Sequence, residues 1–349
     1  GPRCANGDGE IAQLERQAQA GNVSARRVAR CGCADSGGGS PPMRWPAETI
    51  VLGSFDTALG IVRALGRSGI TVHVLDHQRL HAAHSRYAIA HLCPNPAIDP
   101  EGFCRALRAL AESMSAPPVL FISVDEYISA IAAYRDEIAK YCHFNISPTD
   151  LLTRITDKFA QVQLAIAHGI SVPETRVVMN ADESRAVAET MPLPAFIKGR
   201  DVVRWRRVFG GTVKGILVET REQLASALAQ ALERDVPLIV QEVIPGDATQ
   251  HMKVSGYTSK SGTLLAAFTL RKIRQHPHRF GFGTTVETIE NPELLALGKS
   301  FFARIGYRGT GSIEFKFDAR DGLYKLIELN PRYWQQNALA ERAGMNLPV

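Results

Sequence analysis

Residues 312–332 read SIEFKFDARDGLYKLIELNPR. Ile313, Phe315 and Phe317 alternate with Ser312, Glu314 and Lys316, and further on Ile327 and Leu329 alternate with Glu328 and Asn330. A period of two is the signature of a strand and Asp321-Gly322 that of a tight turn, so the segment predicts a β-hairpin. A loop of about five residues centred near Asp321 sets Glu314 opposite Glu328. Their Cβ atoms then lie about 5 Å apart, and like charges directly opposed destabilise a sheet. A divalent cation would offset that repulsion. Asn330 adds a neutral oxygen on the same face. Two carboxylates and an amide oxygen are hard donors that suit Mg²⁺, or Mn²⁺, a cation that shares its coordination with phosphates and water. Pro331 stops the ladder, and Arg332 supplies a fixed cation. The plainer alternative is a solvated face on which Lys316 neutralises one glutamate.

The chain around this hairpin has 349 residues, a length for roughly two to three domains. Its 45% hydrophobic and 21% charged residues are ordinary for a globular protein. The net charge of +5 is too small to argue for nucleic acid and would serve a phosphate-bearing ligand equally well. Cys4, Cys31, Cys33, Cys93, Cys104 and Cys142 form no CxxC pair, so free thiols in a reducing cytoplasm are expected. No apolar run reaches membrane-spanning length.

Residues 1–47 are rich in Gly, Ala, Arg and Ser and predict a disordered or non-native extension, with Met43 a plausible native start. Thr49–Gly53, the amphipathic stretch Thr57–Ser68 and Ile70–Asp76 predict a βαβ opening, hence a Rossmann-like domain over residues 48–150. The turn Gly53-Ser-Phe-Asp56 lacks the GxGxxG fingerprint, which argues against a dinucleotide. A strand at Pro118–Ile122 is followed by Asp125, Glu126 and a helix predicted to run through Lys140. Acids just past a parallel strand's C-terminal end are candidate substrate contacts, or simply the first turn of a helix. His73, His77, His81 and His84 cannot share one helix face, because His73 belongs to a strand. Asp150–His168 predicts one helix. Pro194–Lys198 and Val213–Glu219 predict strands, joined by a loop that carries several arginines and Phe209-Gly210-Gly211-Thr212. A strand at Pro237–Val243 runs into Ile244-Pro-Gly-Asp247, and Arg271–Thr285 predicts a basic, glycine-punctuated loop.

Taken in order, Asp157-Lys158, Phe196-Ile-Lys198, Gly210-Gly211, Gln241-Glu242-Val243-Ile244, Glu314 and Glu328-Leu-Asn330-Pro-Arg332 resemble the ATP-grasp superfamily. The loop RKIRQHPHRFGFGTT resembles the carboxylate–amine ligase branch near the D-aspartate ligases. The resemblance implies an ATP-grasp fold over residues 151–349, preceded by the Rossmann-like domain. It implies that Lys158 and Lys198 hold ATP phosphates, that Gly210 and Gly211 close over them, and that Gln241 to Ile244 receive the adenine, with Asp247 at the ribose. Glu314, Glu328 and Asn330 become the Mg²⁺ ligands. Arg332, Lys272 and Arg271 become the catalytic cations. The implied reaction joins a small carboxylate to an amine, an amino acid or peptide, through an acyl-phosphate. A homodimer is compatible, and a membrane span or nucleic-acid partner is not expected. Relatives generally continue past Val349, so a C-terminally incomplete chain is expected. A biotin-dependent carboxylase would bring a carrier domain with its lysine motif, which this chain lacks. A non-catalytic nucleotide-binding regulator would not need Glu314, Glu328, Asn330 and Arg332 together.

Overall fold

A computed structural model describes residues 48–200, 205, 215–234 and 236–348. The N-terminal extension, with Cys4, Cys31 and Cys33, lies outside the described residues, as do Gly210 and Gly211.

Three sheets carry the fold. In the first, β1 (Thr49–Leu52), β2 (Val72–Asp76), β3 (Ala88–Leu92) and β4 (Val119–Ile122) are parallel, in the order β3-β2-β1-β4. Helix Asp56–Arg67 buries Ile61, Val62 and Leu65 against one face, and Pro100–Glu112 buries Phe103 and Leu107 on the other. Helices on both faces explain why β1 is buried along its whole length. The second sheet is antiparallel, in the order β5-β8-β6-β7, from β5 (Thr175–Val178), β6 (Ala195–Gly199), β7 (Ile216–Val218) and β8 (Leu238–Glu242). Helices Ala181–Thr190 and Arg221–Glu233 cover one face, and Trp205 is buried in their shared core.

The third sheet has the order β11-β10-β9-β12-β13, from β9 (His251–Thr258), β10 (Leu264–His276), β11 (Phe282–Ile289), β12 (Gly309–Asp318) and β13 (Leu323–Asn330). Helix Pro292–Arg304 packs Leu294, Phe301 and Phe302 against Val254, Ile313, Phe315, Leu326 and Leu329. The expected hairpin is therefore β12–β13, turning at Gly322 in the left-handed region (φ 74°).

Four local expectations are corrected. The segment 271–285 is two paired strands rather than a loop, since β10 continues to His276 and β11 starts at Phe282. The long helix expected at 150–168 breaks at Asp157, whose side chain accepts 2.9 Å bonds from the Phe159 and Ala160 amides. A new helix thus starts at Lys158, because a capping carboxylate competes with helix continuation. The helix expected to run on to Lys140 likewise divides, into Asp125–Ala133 and Arg135–Ile138. Alternation in β13 is interrupted by a register shift: Glu314 pairs with Glu328 but Phe315 pairs with Leu326. The bulge at Ile327 puts Leu326, not Ile327, into the core.

The chain after β13 returns to the first sheet. Tyr333 is buried beside Phe121, and Asn337 donates to the Thr57 and Trp334 carbonyls. Gly60 makes this possible, as a Cβ there would lie 2.1 Å from the Asn337 amide oxygen. Residues 330–332 consequently cross the C-terminal edge of β1 and β4, and Tyr333 N–H donates to Ile122 O at 3.3 Å.

Candidate active site

In the third sheet Glu314 sits between Glu328 on β13 and Lys253 on β9. Opposed carboxylates about 5 Å apart repel by roughly 3 kcal/mol at an effective dielectric near 20. Two lysines answer that repulsion. Lys253 Nζ lies 2.5 Å from Glu314 Oε1, and Lys158, at the start of its helix, donates to Glu328 Oε1. Desolvation pushes the Glu328 carboxyl up, but Lys158, with Lys198 behind it, outweighs this and holds it down at about 2. Glu314 is also lowered: burial and Glu328 raise it, while Lys253 and Lys272 prevail.

Lys316 does not perform the neutralising role considered from sequence. Its ammonium is buried and donates to Ile244 O at 2.7 Å and Gly246 O at 2.9 Å, anchoring the segment after β8. Lys253 takes that place instead. No local pattern points to it, because the β9–β12 pairing that delivers it spans about sixty residues of chain.

Lys198 reaches Gln241 Oε1 at 3.3 Å across the second sheet. Desolvation, then the nearby Lys158 charge, depress its pKa to about 8. Arg200 Nε meets Asp157 Oδ2 at 3.0 Å, tying the end of β6 to the cap beside Lys158. Glu242 pairs with Arg320 at 2.5 Å and accepts from Glu174 N, while Val243 N–H donates to Pro194 O at 3.0 Å. Asp247 caps a short turn by accepting from Thr249 N and Oγ1. Lys272 is buried on the same sheet face as Lys253 and bonds Gln275 Oε1 and Gly281 O, each at 3.3 Å.

Arg271 is the exception. It pairs across the sheet with Met252, on the opposite face from Lys253 and Glu314, and its guanidinium engages Glu287. Successive strand residues alternate faces, so Arg271 and Lys272 cannot both enter the cleft. Arg332 lies just past the end of β13 instead. Its guanidinium grips Asp125 with Nε–Oδ1 2.8 Å and Nη2–Oδ2 3.0 Å, and Nη2 lies 3.4 Å from Asn330 Oδ1. Asp125, read from sequence as a possible substrate contact, is thus the partner of Arg332 at the edge of the first sheet.

The histidines do not converge. His73 stacks on His91, His77 sits beside Asp76, and His81 meets Asp56. Among the described residues no three of His, Cys, Asp or Glu are grouped to hold a metal. The residues that could hold a cation are the facing Glu314 and Glu328, with Asn330 two positions along the same strand face. Their facing geometry and hard oxygens fit Mg²⁺ that also uses phosphate and water ligands. Cys93, Cys104 and Cys142 are buried free thiols, raised by burial to about 11, 11 and 12.

Comparison with known proteins agrees with this architecture. The carbamoyl-phosphate synthase L chain ATP-binding domain family matches residues 285–347. A D-aspartate ligase of Enterococcus faecium is 24% identical over 231 residues, 64% of this chain and 55% of the relative. The chain therefore spans about half the length of that curated relative. Among solved structures, an L-amino acid ligase from Bacillus licheniformis superposes with TM-score 0.61 at 12% identity, covering 86% of this chain and 72% of that one. A biotin carboxylase from Campylobacter jejuni, in complex with an ATP analogue, gives 0.62 at 17% identity over 86% and 69%. The chain has the ATP-grasp fold. No helix among the described residues is long and apolar enough to cross a membrane.

Proposed function

We propose that this protein is an ATP-dependent carboxylate–amine ligase that forms an amide through an acyl-phosphate. The observation that carries this reading is the Glu314–Glu328 pair, bracketed by Lys253 and Lys158 and lying beside Lys198 and the Arg332–Asp125 grip. Phosphoryl transfer asks a protein for positioning and charge neutralisation more than for covalent help. Lys158 and Lys198 supply cations for the phosphates, and the Gln241–Ile244 segment lies beside Lys198 to receive the base, with Asp247 toward the ribose. Gly210 and Gly211 would close over the phosphates. Glu314, Glu328 and Asn330 would hold Mg²⁺ or Mn²⁺, which neutralises charge on the phosphoryl oxygens when bound.

Lys272 orients the substrate carboxylate. A carboxylate oxygen attacks the γ-phosphorus, the bond to ADP breaks, and Arg332 stabilises the charge on the transferred group. The amine nitrogen then attacks the acyl carbon, phosphate leaves with the bonding pair, and the nitrogen loses a proton. The substrates, an amino acid or peptide among them, would enter past the strand-end loops of the first sheet. The similarity to a D-aspartate ligase, which extends over 55% of that relative against 10% of an acetyl-CoA carboxylase, supports this branch over the carboxylases. A phosphate-release screen with Mg-ATP against pooled carboxylates and amines tests it. Stimulation by a pair of pools is expected, and silence of every pool with ADP binding intact would overturn it.

A further inference from the structure

A cavity of about 480 Å³ opens at the other end of the third sheet, where residues 135–148 meet the β9–β10 turn and Arg308. Gly309, at this seam, lies five positions along β12 from Glu314, which is about 17 Å of strand. The cavity is therefore separate from the cleft.

Its walls are fixed. Asn145 Nδ2 donates to Tyr257 OH at 3.0 Å and to Thr258 O at 2.8 Å, while Ser147 Oγ donates to Arg308 O and accepts from Arg308 N. Three cations line it, Arg135, Lys260 and Arg308, against one carboxylate, Asp136. Among the described residues none of the three is in an ion pair. Arg308 spends Nε and Nη1 on the Lys260, Gly306 and Tyr307 carbonyls. Arg135 lies over the Phe144 ring and donates to Ser147 O, and its buried Nε has no partner. Burial depresses its pKa, against the pull of Asp136. Partly desolvated guanidinium groups without carboxylates are costly, and an oxyanion matches their donor geometry.

We propose that this cavity is a binding site for a small oxyanion-bearing metabolite, the oxygens being held by Arg135, Arg308 and Lys260. The test is calorimetric titration of the full chain with inorganic phosphate, and separately with succinate. Wild type takes up the anion. Lys260→Ala, an exposed change that leaves the seam hydrogen bonds in place, weakens uptake several-fold. Arg308→Ala weakens it on the order of tenfold, and Lys198→Ala, a cleft variant, leaves it intact. Phosphate binding tighter than succinate assigns a phosphorylated ligand, and the reverse order a carboxylate. Absence of uptake by wild type, or uptake lost in Lys198→Ala and kept in Lys260→Ala and Arg308→Ala, overturns the proposal. Neither result depends on whether the chain ligates.

Discussion

The two ends of the β12–β13 hairpin each hold an acidic cluster, and they are built differently. At the turn end Asp318 is fully buried, bridged by Arg320 at 2.6 Å and Lys325 at 2.6 Å. Both cations lie within seven residues of it, so the charge of Asp318 is met locally, with Arg320 also reaching Glu242. At the other end Glu314 and Glu328 face each other, and their lysines arrive from a helix and a strand far away in sequence. A self-satisfied charge holds a turn together. Facing carboxylates that need cations from two other elements cost stability unless a ligand uses them, which is the physical mark of a site.

Exchanging charges at the two ends should separate these roles. Glu328→Gln is expected to reduce ATP-dependent turnover by at least about a hundredfold, with the melting temperature shifted by only a few degrees. Retained turnover would show that the pair is structural. Asp318→Asn should do the opposite. Loss of the buried charge leaves Arg320 and Lys325 without their shared partner and costs roughly 2 kcal/mol, about thirtyfold in the folding equilibrium. Turnover per folded molecule should stay within a few-fold, as read from urea midpoints beside steady-state rates. The hydrogen bond from Arg320, with Lys325 adding to it, holds the Asp318 carboxyl well below its ordinary value of 3.8. Its contribution is therefore complete above the ordinary carboxylate range and fades as pH falls below it, so the two midpoints should converge in acid.

Asp125→Asn tests the grip on Arg332. A lost positioning contact predicts a decrease in kcat of about tenfold with nucleotide affinity preserved, and equal losses in both would point to a general folding defect instead. The smallest effect concerns Lys198. With its pKa depressed to about 8, by desolvation first and Lys158 next, it sheds its proton as pH rises through that value. ADP affinity should fall a few-fold between pH 7 and 9, and the fall should vanish in Lys198→Arg, whose charge persists. A flat profile in the wild type would break the assignment.

Much of this was legible in the residues. The facing glutamates follow from period two and one turn, because hairpin register is local. The βαβ opening is equally local, since hydrophobic periodicity and a stop at Gly69 define it. The inward-facing residues of β13 were not legible, because the bulge at Ile327 changes which residues face inward without changing the residue pattern. Arg271 and Lys272 looked alike in composition, and the facing of one strand divides them. Asp157 as a helix start was available from its capping side chain and its position before Lys158.

By itself the sequence determined most of the strands and helices, the opposed carboxylates and the ordered motifs that resemble the ATP-grasp superfamily, since each element or motif is written in a short stretch of chain. The tertiary structure alone decided which cations meet those carboxylates. Lys253 came by the β9–β12 pairing and Lys158 by the cap at Asp157, while the return of the chain over the first sheet brought Arg332 to Asp125. Long-range pairing depends on how three sheets pack, and no local period encodes it.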